Sequence, residues 1–249
     1  MGLDMELTEL DMRAKKTFFE SFELGIDLPF LSFNPGFMDG PVNAFHKTFG
    51  FPDSGRSKRP ENDFLYEVKR QGLIIIKGED GGVGLSDITL SAKKAITRSD
   101  PSVSLKFDVE LPTGDAKRGY GSGNLGADGS LLLDKRLGDS FMSYCNIGYA
   151  IPGNLEGYET IDMKPFSFGG IGLEMAAWKD ISLLAQLTFQ ESPYPKTGIR
   201  AIDDYAVLLA FGGRYTTRSS GSYEFSFTED PNTAGAPDFT VGLSYKKSY

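Results

Sequence analysis

The chain has one histidine, His46, and one cysteine, Cys145, among its 249 residues, and this limits the chemistry it can host. A single histidine excludes a multi-His metal site. A single cysteine excludes both an internal disulfide framework and a Cys-rich zinc site. Asn43 and His46 stand three residues apart, which puts them on one side of a helix. Barrel hydrolases that act on lipid pair a His with a Ser nucleophile and an orienting polar residue, held at a lipid-facing rim. Here the pair falls on a short helix in a connecting segment, so packing is the preferred reading and no catalytic residue is assigned. Gly121, Gly123 and Gly126 satisfy G-x-G-x-x-G, but a dinucleotide fingerprint needs a helix next. The residues that follow, Ala127–Leu133, read as a strand, so the glycines belong to a loop. Gly81–Asp87 (GGVGLSD) resembles a fragment of a calcium-binding glycine repeat in a single copy, and one copy is not a repeat. The acidic pairs Glu79–Asp80 and Glu229–Asp230 offer at most weak binding of a divalent ion. No metal and no cofactor are expected.

The charged residues that remain are distributed in another way: they alternate with apolar ones. Phe22, Leu24, Ile26, Leu28 and Phe30 interleave with Glu23, Gly25 and Asp27. Val103, Leu105, Phe107, Val109 and Leu111 interleave with Ser104, Lys106, Asp108 and Glu110. Ile181 to Phe189, Tyr205 to Phe211 and Phe239 to Tyr245 repeat the pattern. A strand sends successive side chains to opposite faces, so each segment reads as a strand with one apolar and one polar face. The runs number about twelve, near 4–14, 17–32, 63–77, 84–97, 102–112, 124–137, 140–151, 164–178, 180–191, 203–215, 222–229 and 237–247. Many reach the ~9–11 residues that a tilted strand needs to cross a bilayer. Helical spacing appears around Val42, Phe45 and Phe49, within the 33–62 link.

The connections alternate in length. Those at 112–123, 152–163, 192–202 and 229–236 are long, and those at 137–139, 179–180 and 216–221 are short. Outer-membrane barrels have long external loops and short periplasmic turns, whereas a Greek-key sandwich has no reason for such asymmetry. The polar faces point the same way. Glu23, Asp27, Lys106, Asp108, Glu110, Asp128, Asp134, Arg136 and Arg214 would each cost several kcal/mol in a dry core unless paired. Facing a watery lumen, they carry no such cost. The expected fold is therefore all-β, an antiparallel up-and-down transmembrane β-barrel of about twelve strands, forming a single domain over residues 1–249 with one short helix in the 33–62 link. Phe107, Leu183, Leu209 and Leu243 are expected on the lipid side, and Lys106, Asp108, Asp134 and Arg136 in the lumen. The charges at 106–110 are expected to pair with those at 128–136 on the next strand. Trp178, Tyr144, Tyr149, Tyr205, Tyr215 and Tyr223 suit aromatic girdles at the bilayer interfaces.

Two segments carry a family resemblance. Gly36–Phe64, GFMDGPVNAFHKTFGFPDSGRSKRPENDF, resembles an uncharacterised family of Gram-negative outer-membrane β-barrel proteins. That family shows a Gly–aromatic/aliphatic–Asp stretch, a short amphipathic helix with His, then Gly-Arg and Arg-Pro-x-Asn. Leu111–Gly123, LPTGDAKRGYGSG, is similar to a strand end and loop in the wider group of barrels linked to phenol degradation. The resemblance spans essentially the whole chain and implies location and fold rather than an activity. It also implies a signal peptide and further sequence upstream of Met1, so the chain is expected to start late relative to the family. The carboxyl end resembles the last strand of such barrels, which the barrel-assembly machinery reads. Phe239, Val241, Leu243, Tyr245 and Tyr249 fit, while Lys247 breaks the alternation.

Composition bounds the alternatives. A net charge of −8 and a pI near 4.8 argue against a general grip on nucleic acid. With 40% hydrophobic residues and a mean hydropathy of −0.25, a bundle of membrane helices is excluded. Met1–Lys16 has no basic segment followed by an apolar one, so this chain shows no signal peptide. The function expected is a narrow channel or structural barrel of the outer membrane, with membrane lipid and the assembly machinery as partners. The alternatives are an outer-membrane enzyme acting on lipid and a soluble, open two-layer β-rich binding protein. Counting strands back from Tyr249 puts the 33–62 link on the periplasmic side. There Val42, Phe45, His46 and Phe49 are candidates for a plug in the mouth, with Arg56, Lys58 and Arg59 near acidic lumen residues or headgroups.

Overall fold

The computed structural model describes residues 2–50, 60–232 and 239–248. Its strands are β1 (Gly2–Asp4), β2 (Glu6–Phe18), β3 (Phe22–Asn34), β4 (Leu65–Arg70), β5 (Leu73–Lys77), β6 (Gly84–Leu85), β7 (Ile88–Thr97), β8 (Ser102–Leu111) and β9 (Gly126–Leu137). They continue as β10 (Phe141–Ile151), β11 (Leu155–Glu156), β12 (Thr160–Ile161), β13 (Phe166–Trp178), β14 (Ile181–Gln190), β15 (Ala206–Thr216), β16 (Gly221–Glu229) and β17 (Phe239–Lys247). Two helices, α1 (Asp39–Phe49) and α2 (Arg200–Asp203), lie in connections.

The large sheet has the order β17-β16-β15-β14-β13-β10-β9-β8-β7-β3-β2, with β6 paired to β3. Neighbours in space are neighbours in sequence except where small excursions intervene, so the topology is up-and-down. The turns at 19–21, 98–101, 138–140, 179–180 and 217–220 are short, while the connections at 112–125, 152–165, 191–205 and 230–238 are long. The period-two pattern accounts for the strands, and helix α1 covers the expected helical segment. Asp39, in its first turn, accepts from Asn62 N at 2.7 Å. Glu6 holds the preceding turn by accepting from Phe37 N (2.8 Å) and Met38 N.

One expected strand is not a strand of this sheet. Residues 63–77 form the hairpin β4–β5, which pairs with β1 in a separate three-stranded sheet of order β1-β4-β5. Gln71 (φ 52°) and Gly72 (φ 85°) are both left-handed, as a two-residue hairpin turn of primed type requires. A hairpin contributes no crossing, so the strand count shifts by one. The connection between β3 and β7, which holds α1, therefore falls on the edge of the sheet that bears the long connections, not the short turns. The 33–62 link thus does not share an edge with the short turns, contrary to what the sequence-based strand count implied. The side chains of the plug candidates Val42, Phe45, His46 and Phe49, and the whole of Arg56, Lys58 and Arg59, lie outside the described residues.

The chain divides into two compact units: residues 1–92, 107–128 and 151–164 form unit 1, and 93–106, 129–150 and 165–249 form unit 2. Unit 1 contains a small apolar core of Ile75, Ile76 and Ile161, flanked by Tyr66, Val68, Leu155 and Met163. The large sheet is different. Its buried side chains include Ser91, Ser104, Asp108 and Glu229, while large apolar residues of the same strands are exposed.

Candidate functional site

Phe107 is 52% exposed and its chain neighbour Asp108 only 8%. A strand in a soluble sheet shows the reverse. The same inversion holds along unit 2, where the register aligns Ala185, Phe211, Phe227 and Val241 in one row across four strands. Phe211 and Val241 in that row are exposed, as are Leu183 (43%) and Leu243 (82%). Leu209 departs from expectation: it lies on the apolar face but is half-buried, flanked in register by Leu187 and Glu229.

The opposite face of unit 2 carries a polar network that crosses several strands. Arg214 on β15 meets Glu174 on β13 (Nη1–Oε2 2.7 Å) and Glu224 on β16, the latter through Nε and Nη2, both at 3.0 Å. Tyr144 on β10 donates to Glu174 Oε2 at 2.8 Å. Ser182, Arg214, Glu224 and Ser244 are directly opposite one another in register, so alternation alone puts them on one face. The guanidinium fork meets two carboxylates at once, a geometry that a lysine cannot reproduce.

In unit 1 the central residue is Asp87, 4% exposed. Its Oδ1 accepts from Gly114 N (2.8 Å) and its Oδ2 from Ser122 N (2.6 Å) and Ser122 Oγ (2.9 Å). One carboxylate thus closes the 112–125 connection on itself. Gly121 must lack a side chain, because a Cβ there would lie 2.3 Å from Asp87 Oδ1. The same connection sends Tyr120 onto Phe33 (ring centroids 5.2 Å), and Phe33 also meets Tyr66 of β4 edge-on at 4.7 Å. Phe33 lies on the face of β3 that carries Glu23 and Asp27. The hairpin and the 112–125 connection therefore cover part of that charged face.

Most of the residues singled out by alternation lie on the polar face. Asp27 faces Arg13 in register and at 3.6 Å, and Arg13 also pairs with Asp11. Glu110 lies against Asp87 and near Asp128. Lys106, Asp108 and Asp128 each engage a neighbouring group. Glu23 and Asp134 are half-buried, and Arg136 is exposed near its strand end, with its backbone N–H donated to Asp100 Oδ1 at 3.1 Å. Sequence reasoning found Arg214 but missed Glu174, Glu224 and Asp87. The first two share the phase of Arg214 on neighbouring strands, and that phase was the available signal. Of the aromatics, Trp178, Tyr215 and Tyr223 are exposed, as are Tyr149 and Tyr205. Tyr144 is exposed too, but on the polar face, where it reaches Glu174. Among the described residues, no group of three or more His, Cys, Asp or Glu side chains is arranged to hold a metal ion.

The chain belongs to the family described as Protein of unknown function (DUF3187), whose model matches residues 1–249. No curated protein matches it. Among solved structures it is similar to the crystal structure of the COG4313 outer membrane channel from Pseudomonas putida F1, at 12% identity and a TM-score of 0.63, covering 96% of this chain and 81% of that one. The likeness is one of fold: an all-β, up-and-down antiparallel architecture.

Proposed function

We propose that this protein is a narrow, cation-preferring channel of the outer membrane. The observation that carries the reading is the inverted burial of the large sheet, with apolar side chains on the exposed face and charged ones on the covered face. Exposed apolar patches of this extent need a cover. Hydrocarbon supplies one for a closed β architecture, while the polar face lines water. The fold likeness to an outer membrane channel supports the same reading. Glu23, Asp27, Lys106, Asp108, Glu110, Asp128, Asp134, Arg136 and Arg214 are then lumen residues, joined by Glu174 and Glu224. The β4–β5 hairpin and the 112–125 connection, packed on the charged face of unit 1, narrow the path. The exposed row Val241, Leu243 and Tyr245 on β17 is what the barrel-assembly machinery would read.

The test is reconstitution of the full chain into planar bilayers. Small, stepwise currents with a cation-selective reversal potential are expected. Folded protein that partitions into the aqueous phase of a detergent extract, or inserts without any current, would overturn the reading.

A further inference from the structure

The short-turn edge of unit 2 joins two features that the pore itself does not require. First, the register lines up Ile181, Tyr215, Tyr223 and Tyr245 in one row across β14 to β17, and Trp178 pairs with Ile181 at the end of β13. Trp178 is 67% exposed, and the three tyrosines are about half exposed. The rings of Tyr223 and Tyr245 lean on each other at 4.8 Å, and Tyr245 Oη passes close over Gly221, where a Cβ would lie 3.3 Å away. Second, the positions just beyond this row are basic. Lys179, Arg218 and Lys247 are exposed there, with Asp180 the one acidic residue in the two turns. This is notable in a chain whose net charge is −8.

Amphipathic aromatic rings settle where hydrocarbon meets headgroups, with the ring in the apolar layer and the O–H or N–H toward water. Cations one step outward then stand at the depth of lipid phosphates, and basic residues close to an anionic surface attract it within a Debye length. The apolar face supplies the acyl side, with Leu183, Phe225 and Leu243 exposed next to the aromatic row. We propose that this edge is a docking rim for anionic phospholipid, selecting a phosphatidylglycerol-type headgroup over a zwitterionic one. This rests on the membrane reading above and adds to it a lipid preference at a defined edge.

Trp178 is the sole tryptophan, so the native chain carries its own reporter. The full chain is reconstituted in phosphatidylcholine vesicles doped with a fixed fraction of brominated phosphatidylglycerol or brominated phosphatidylcholine. Bromine near the headgroup end of the acyl chain is expected to quench Trp178 more than bromine near the bilayer centre. Brominated phosphatidylglycerol should quench several-fold more effectively than brominated phosphatidylcholine. That preference should fall to near parity in the triple variant Lys179→Gln, Arg218→Gln, Lys247→Gln, whose folding is checked by heat-modifiable gel migration. It should also weaken near 1 M salt, where the Debye length is about 3 Å. Equal quenching by the two headgroups in the native chain overturns the docking rim alone. A Trp178 that no brominated lipid quenches overturns the channel reading and the rim with it.

Discussion

Asp87 spends both carboxylate oxygens on the 112–125 connection, accepting two backbone N–H groups and a hydroxyl. In Asp87→Asn one of those oxygens becomes an NH2 that faces another donor. Charge-assisted bonds of this kind are worth ~1.5–3 kcal/mol, so backbone amides in residues 112–125 should exchange with solvent roughly ten- to a hundredfold faster. Hydrogen-exchange mass spectrometry of that peptide is the check, and unchanged protection would mean that the loop is held by something else. Arg214 is the comparable residue in unit 2. Arg214→Met leaves Glu174 and Glu224 without their shared cation, and in this part-exposed setting the loss should be about 1–3 kcal/mol. Urea titration in detergent, followed by Trp178 fluorescence, measures it. Adding Glu174→Gln to Arg214→Met should recover part of the loss, and strict additivity of the two would deny the coupling. Arg214 was legible as a charge in the polar phase of an alternating strand. Asp87 was not, because its partners are backbone N–H groups 27 and 35 residues away, and pattern reading does not register a backbone partner.

At the scale of elements, alternation was a sufficient guide wherever a strand ran ten residues or more, since a period of two repeated five times has few other readings. It failed at 63–77, where two short strands of the same phase were read as one. Gln71-Gly72 held the contrary signal: a polar residue followed by glycine supplies two left-handed positions in succession. The error propagated, because each strand gained or lost moves every earlier connection to the other edge, and it misplaced the link holding α1. The hairpin's own anchoring is local. Ile75 is 1% exposed in a core of three buried isoleucines, and Ile→Ala in such a place costs about 2–5 kcal/mol. Ile75→Ala is therefore expected to loosen β4–β5 while leaving the large sheet intact. Limited proteolysis should then cut within residues 60–83, and single-channel conductance should rise as the cover on the charged face of unit 1 opens. Unchanged conductance together with new cleavage would show that the hairpin does not narrow the path.

Across the whole molecule, charge is unevenly shared. Unit 1 contains 22 acidic and 13 basic residues, unit 2 contains 12 and 13, so the negative balance belongs wholly to unit 1. The polar faces of its strands present Glu9, Asp11, Glu23, Asp27, Asp108, Glu110 and Asp128 against Arg13 and Lys15. Composition alone recorded the sum, −8, and used it only to argue against nucleic acid. How that sum divides depends on which connections return to which strands, and no local pattern carries that information. A lumen lined by one sign of charge enriches counter-ions and repels co-ions by an amount set by the screening length. That length is about 10 Å at 0.1 M salt and about 3 Å at 1 M, the first comparable to a narrow pore and the second much smaller. The reversal potential in a KCl gradient should therefore favour K⁺ strongly when both chambers are near 0.1 M, and much less when both are near 1 M. Asp27→Asn with Glu110→Gln should reduce the low-salt preference without abolishing current, since both residues lie on the charged face and neither belongs to the apolar core. A preference that does not change with ionic strength would assign selectivity to pore size instead, and anion preference at low salt would remove unit 1 from the conduction path.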